Sequence, residues 1–144
     1  MELIYKSGIE RLIAKSFLQS LRNFSLFDES HSISCIYKDN ILAVNYWTEK
    51  EERTANQTKT SISVDNSVGY LLWIQIKLEK RSEGHGTSLY NCIENFFREQ
   101  KCERVILTPS GKLSDGRTKS EWWKNRGFQF RKENPNEMEK IIIT

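Results

Sequence analysis

Long apolar runs are missing from this chain. No stretch approaches the roughly 20 consecutive apolar residues that a bilayer-spanning helix needs. The opening MELIYKSGIERL has no continuous apolar core of the kind a secretory signal carries. A cytoplasmic location is therefore the default expectation. Cysteine is scarce: Cys35, Cys92 and Cys102 form no CxxC pair and, being three, cannot all pair within one chain, so they read as reduced core thiols. The two histidines, His31 and His85, belong to no Cys/His/carboxylate spacing, and no metal is expected. Neither sign of charge dominates either. Twenty-two Lys and Arg against 19 Asp and Glu give a formal charge of +3, with the two signs interleaved along most of the chain. A nucleic-acid binder gathers its cations into a stripe, so nucleic acid is not an expected partner. Internal repeats and long low-complexity segments are also absent. The two prolines, Pro109 and Pro135, both sit in turn-forming stretches.

What is present suits an ordinary globular protein. A length of 144 residues with 38% hydrophobic content supports one domain, 1–144, with a real core. A short opening strand at Glu2–Lys6 precedes a helix over Gly8–Asn23, whose Ile9, Leu12, Ile13, Phe17, Leu21 and Phe24 recur on one face and predict a sheet-covering role. The period then changes. Ser32–Tyr37 and Ile41–Trp47 read as strands of a hairpin around Lys38-Asp39-Asn40. Tyr46 and Trp47 are read either as lining a substrate pocket or as packing residues. Glu49–Ser67 is polar and loop-like, with a candidate short strand at Thr60–Val64.

The richest stretch follows. YLLWIQIKLE, Tyr70–Glu79, has the length and composition of a buried strand. Unbroken alternation puts Leu72, Ile74, Ile76 and Leu78 on one side and Trp73, Gln75, Lys77 and Glu79 on the other; a bulge would change that phase. A glycine-bearing turn, KRSEGHG, leads into a helix expected from Thr87, with Leu89, Ile93, Phe96 and Phe97 as its apolar stripe. Small residues let a backbone approach a ligand, and unpaired amides at a helix start favour an anion. Arg104–Thr108 is a second buried strand, and strand, helix and strand at this spacing fit a right-handed parallel crossover. Pro109–Gly116 is turn-rich, Thr118–Asn125 is a short helix that Gly127 terminates, and Phe128–Phe130 with Glu139–Ile143 form a terminal antiparallel pair. The fold class is α/β, with a mixed sheet of six or seven strands.

With those elements in order, the chain resembles the GCN5-related N-acetyltransferase superfamily, most clearly over Tyr70–Phe130. Arg81-Ser82-Glu83-Gly84-His85-Gly86 matches that superfamily's Gln/Arg-x-x-Gly-x-Gly/Ala cofactor motif, and Trp122-Trp123-Lys124-Asn125-Arg126-Gly127-Phe128 is similar to its Phe-Tyr-x-x-x-Gly-Phe segment. The resemblance implies a sheet splayed at its centre around acetyl-coenzyme A. It implies that the backbone of Ile76, Lys77 and Leu78 meets the acetyl and pantetheine portion. Amides from Arg81 through Ser82, Glu83, Gly84, His85, Gly86 and Thr87 would cradle the pyrophosphate, with Arg81 adding charge and Lys80 steering from the edge. His85 reads in this setting as an exposed or cofactor-contacting side chain rather than as a base.

The implied reaction moves an acetyl group to an amine carried by a small molecule or a protein, by direct attack in a ternary complex. Glu79 is the candidate base. Trp123 stands where many relatives have a tyrosine that protonates the leaving thiolate. Tryptophan has no phenolic proton but can pack on pantetheine or close the cleft. Gly116 occupies the spacing of a frequent asparagine, and Ser114, Ser120 or water are possible substitutes for the acid. A noncatalytic acyl-coenzyme A sensor or interaction module is the alternative reading. Monomer and homodimer both stay open.

Overall fold

Ser7 starts the first helix. Its hydroxyl accepts the Glu10 amide at 3.2 Å, while the Glu10 carboxylate reaches back to the amides of Ser7 and Lys6 at 3.0 and 2.7 Å, which is a complete capping box. The computed structural model describes residues 1–48, 57–109 and 118–143. Helix α1 occupies Gly8–Leu21 and follows strand β1, Glu2–Ile4. Its buried stripe is Glu10, Ala14, Phe17 and Leu21, continued by Phe24. The expected stripe is corrected by this rotation: Ile9 and Leu12 are 58% and 67% exposed. The physical reason is Glu10, whose second carboxylate oxygen accepts the Tyr37 amide at 2.7 Å and so turns the capping face toward the sheet.

The remaining strands are β2 (Ser32–Lys38), β3 (Ile41–Trp47), β4 (Lys59–Asp65), β5 (Val68–Gln75), β6 (Arg104–Leu107), β7 (Gln129–Phe130) and β8 (Met138–Ile141). Among the described residues they form one eight-stranded sheet in the order β1-β2-β3-β4-β5-β6-β8-β7. β1 with β2 and β5 with β6 are parallel; the other neighbours are antiparallel. Two tight hairpins fix the register. Asp39 and Asn40 both take left-handed backbone between β2 and β3, and Asn66 and Ser67 do so between β4 and β5, the conformation that matches the twist of the flanking strands.

Cys35, Val44, Ile62 and Leu71 line up across β2 to β5 and are all buried. They share the core with α1 and with α2, His85–Glu99, whose Phe96 meets Phe17 edge-on at 5.0 Å. Phe97 packs against Gly69, where an added Cβ would come within 2.7 Å of the ring. Only glycine permits that approach. The short helix α3, Lys119–Lys124, is started by Thr118, whose hydroxyl accepts the Glu121 amide. The architecture is thus an α/β fold with a mixed sheet and packed helices, and no helix among the described residues is long and apolar enough to cross a membrane.

The sheet opens at its centre. β6 pairs with β5 only from Val68 to Leu71, whereas β5 runs on against β4 as far as Gln75. Past Leu71, β5 has a strand on one side only, among the described residues. A bulge at this point separates the Ile62–Leu71 pair from the Ser61–Trp73 pair, leaving Leu72 as the extra residue. This resets the alternation anticipated for Tyr70–Glu79: Leu72 and Trp73 are both exposed, and the strand ends at Gln75 rather than Glu79.

Candidate active site

The end of β5 passes into a 3-10 turn, Leu78–Lys80, and then into a turn with two left-handed residues, Ser82 at φ 67° and Gly84 at φ 86°. Alternation of backbone hand turns successive N–H groups toward one concavity, which is how a backbone nest takes an anion. α2 then begins at His85, two residues before the Thr87 start expected from the sequence. Gly84 is its N-cap and supplies no side-chain acceptor. A Cβ built on Gly84 meets nothing within 4 Å, so the turn faces open space, but its φ is one that side-chain-bearing residues seldom adopt.

Residues expected to meet the cofactor occupy distinct settings here. Lys77 donates its amide to Thr58 Oγ1 at 3.1 Å, and the Ile76 carbonyl accepts Arg81 Nε at 2.8 Å. Leu78 closes the 3-10 turn by accepting the Arg81 amide at 3.3 Å. The polar edge left by the splay therefore begins upstream of these three, at Leu72. Glu79 has left the strand; its side chain is 74% exposed and lies 3.8 Å from Lys77 Nζ. Glu79 is thereby taken out of the alternation with Trp73, Gln75 and Lys77 expected along β5.

The turn is tied down from two directions. On one side, Ser25 Oγ lies 2.6 Å from His85 Nδ1 and the Ser25 amide donates to Ser88 Oγ at 2.9 Å. His85 Nε2 stands 3.6 Å from Glu83 Oε1. On the other side, Trp122 lies over Gly86, 3.5 Å from where its Cβ would be. Arg126 stacks on the Trp122 ring at 3.3 Å and hydrogen-bonds both the Trp122 carbonyl, at 2.7 Å, and Thr87 Oγ1. The indole beside the turn is thus that of Trp122. Trp123, expected beside pantetheine, is 5% exposed and packs edge-on to Tyr90, Phe128 and Trp122. Neighbouring helical residues point about 100° apart, and which of two tryptophans faces the turn is decided by packing.

Tyr46 is 1% exposed; burial pushes its phenol far up, and its hydroxyl meets His31 Nδ1. Its packing reading holds. All three cysteines are free and buried, and burial raises each thiol to about 11, which removes them as nucleophiles at neutral pH. No group of three or more metal-ligating side chains occurs among the described residues. Beyond β6, a cavity of about 610 Å³ is lined by Thr108, Thr118, Ser120, Phe130 and Asn136 among others. Ser120 is therefore at a cavity wall, while Ser114 and Gly116 lie outside the described residues. Sequence reasoning missed Ser25, Ser88, Trp122 and Arg126; the available signal was the four-residue spacing of Trp122 and Arg126, one helical turn apart across the end of α3.

No family model and no curated protein sequence matches the chain. Solved structures do. The chain is similar to the PaiA N-acetyltransferase from Thermoplasma acidophilum, solved in complex with coenzyme A, with 15% identity and a TM-score of 0.53 over 71% of this chain and 61% of that one. It therefore spans less than two-thirds of that protein's length. It is also similar to an acetyltransferase from Bacillus cereus (16% identity, TM-score 0.52, covering 95% and 94%) and to an acetyltransferase of the GNAT family from Staphylococcus aureus (12%, TM-score 0.54, covering 97% and 98%). At these identities the likeness is one of fold. The protein has the GNAT fold, including the splayed parallel pair at its centre.

Proposed function

We propose that this protein is an acetyl-coenzyme A-dependent N-acetyltransferase acting on a primary amine. The observation that carries the reading is that β5 parts from β6 at Leu71 just ahead of a left-handed turn and a helix without a side-chain cap. A strand edge opened beside an uncapped helix start suits a ligand that is amide-like along its length and doubly anionic at one end. The residues present fit coenzyme A on that ground. The amides of His85, Gly86 and Thr87 would hold the pyrophosphate, aided by the α2 dipole, and the β5 edge from Leu72 would hold pantetheine. Lys80 and Arg81 would contribute positive charge at the turn. Bound acetyl-coenzyme A would supply a thioester whose carbonyl accepts the amine.

The chain's own task is then to place the amine and remove its proton. An alkylammonium with pKa near 10.4 is neutral only about once in 2500 at pH 7, a handicap of about 4.6 kcal/mol. Exposed Glu79, beside Lys77, is assigned the relay of that proton to bulk water. Strand amides at the splay would stabilise negative charge developing on the carbonyl oxygen. With Trp123 buried, water or Ser120 would supply the proton to the leaving thiolate. The acceptor is a small molecule or a protein amine.

Titration calorimetry with acetyl-coenzyme A tests this reading. Saturable binding by the native protein, lost in folded Gly84→Asp, is the expected result; a folded native protein that does not bind would overturn it. One observation favours a second reading, a noncatalytic acyl-coenzyme A sensor: the buried Trp123 at the usual tyrosine position. Release of coenzyme A dependent on an added amine, in a screen of polyamines, amino acids and lysine peptides, separates the two.

A further inference from the structure

Ser25 is itself exposed, but it lies between two residues that anchor its segment to the core. Phe24 before it is 3% exposed, Phe27 after it packs against the core, and the Phe27 amide closes a turn onto the Phe24 carbonyl at 3.0 Å. The group it touches starts a helix whose first turn is held on its other side by Trp122 at Gly86 and Arg126 at Thr87. His85 lies between Gly84 and Gly86 at the start of α2, and glycine on both sides leaves the backbone with the most freedom to lose. From that fixed point Ser25 makes two contacts to the first turn of α2, Oγ to His85 Nδ1 at 2.6 Å and N–H to Ser88 Oγ at 2.9 Å. With the ring neutral, one proton placement serves both sides of the imidazole: Nδ1 accepts from the Ser25 hydroxyl, and Nε2–H points to Glu83, 3.6 Å away. A line of side chains, Glu83 to His85 to Ser25, therefore spans the turn and ends on the α1–β2 segment, 60 residues distant in sequence.

We infer that Ser25 is a positioning residue for coenzyme A: it holds His85 and Ser88, and through them pre-orders the amides of Gly84 to Thr87 for a pyrophosphate. The inference rests on the acetyl-coenzyme A reading above. Ordering that a ligand must otherwise impose is subtracted from its affinity, and one hydrogen bond of ordinary strength corresponds to about fivefold.

The experiment compares native protein, Ser25→Ala, Ser25→Thr and Ser88→Ala with two probes. Acetyl-coenzyme A is titrated by calorimetry; S-acetylpantetheine, which lacks the pyrophosphate, is titrated by NMR. Ser25→Ala is expected to bind acetyl-coenzyme A about fivefold more weakly and S-acetylpantetheine unchanged, with Ser25→Thr restoring the native affinity and Ser88→Ala showing the same selective loss. Long-range proton–nitrogen spectra should show the Nε2–H tautomer of His85 in the native protein and a mixture in Ser25→Ala. Binding of acetyl-coenzyme A within twofold of native by Ser25→Ala overturns the inference and leaves the cofactor reading standing. Equal weakening of both probes overturns it too, since that is a loss of fold rather than of turn order. If Ser25→Ala does not fold, the folded Ser88→Ala decides by the same criteria. Failure of the native protein to bind acetyl-coenzyme A removes the cofactor reading, and the inference with it.

Discussion

Two parallel crossovers, β1-α1-β2 and β5-α2-β6, share one core, yet their helices begin in opposite ways. α1 is closed at its start by its own side chains: Ser7 and Glu10 satisfy one another's amides, and Glu10 also takes those of Lys6 and Tyr37. Those three backbone hydrogen bonds hold the Glu10 carboxyl below its usual range, the Tyr37 bond most of all. α2 starts on a left-handed glycine, has no acid in its first turn and gets no side-chain cap. The strands differ in the same sense. β1 is paired along its whole short length, whereas β5 leaves β6 halfway. A helix start that fills its own amides is a structural joint; one that leaves them without a side-chain cap is where, on the proposed reading, an anion would bind.

Gly84→Asp breaks the contrast most severely, because it gives α2 the carboxylate that α1 already has. Like charge against a pyrophosphate costs several kcal/mol, so acetyl-coenzyme A binding should fall by roughly a hundredfold or more in calorimetry while the far-UV spectrum stays native. Gly69→Ala attacks the packed half of the second crossover. The new methyl meets Phe97, and urea denaturation should show a loss of about 1–3 kcal/mol. Ser7→Ala opens the closed helix start and should cost about 1 kcal/mol without altering acetyl-coenzyme A affinity.

The gentlest test is acid. Burial alone would raise the carboxyl of Glu94 on α2, but hydrogen bonds from Lys140, Tyr90 and Arg98, at 2.7, 2.9 and 3.2 Å, outweigh it and hold the group below its ordinary 4.5. The unfolded chain therefore binds this proton more readily than the folded one. The stabilisation is complete above the ordinary value and is lost as pH falls through the depressed one. Denaturation midpoints followed downward from pH 6 should drop below about pH 4.5 in the native protein and drop less in Glu94→Gln. α2 is thus anchored along its length by ions, where α1 is anchored at its start by a cap.

Much of this was legible in the amino-acid order, because the signals are local. The hairpin at Asp39-Asn40, the apolar β5 and the stripe of Leu89, Ile93, Phe96 and Phe97 all follow from periods and turn residues. The losses were at places where a distant residue decides. Glu10 could be recognised as a helix-start acid, but its bond to Tyr37, which turns Ile9 and Leu12 outward, lies 27 residues away. The bulge at Leu72 depends on register against β4, so the side of the strand assigned to Glu79 was lost with it. Gly69 lay outside the predicted strand; its need is set by the Phe97 ring. Trp122 and Trp123 are adjacent and chemically identical, and only Tyr90 and Phe128 decide which of them is core.

The burial of Cys35, Cys92 and Cys102 has a practical side. With every native thiol shielded and weakly acidic, a single cysteine introduced at a surface position such as Ser82 becomes the one fast-reacting sulfur in the molecule. A dye attached there would sit on the mouth of the turn and report its occupancy as a change in fluorescence, with no native residue needing replacement to silence background labelling.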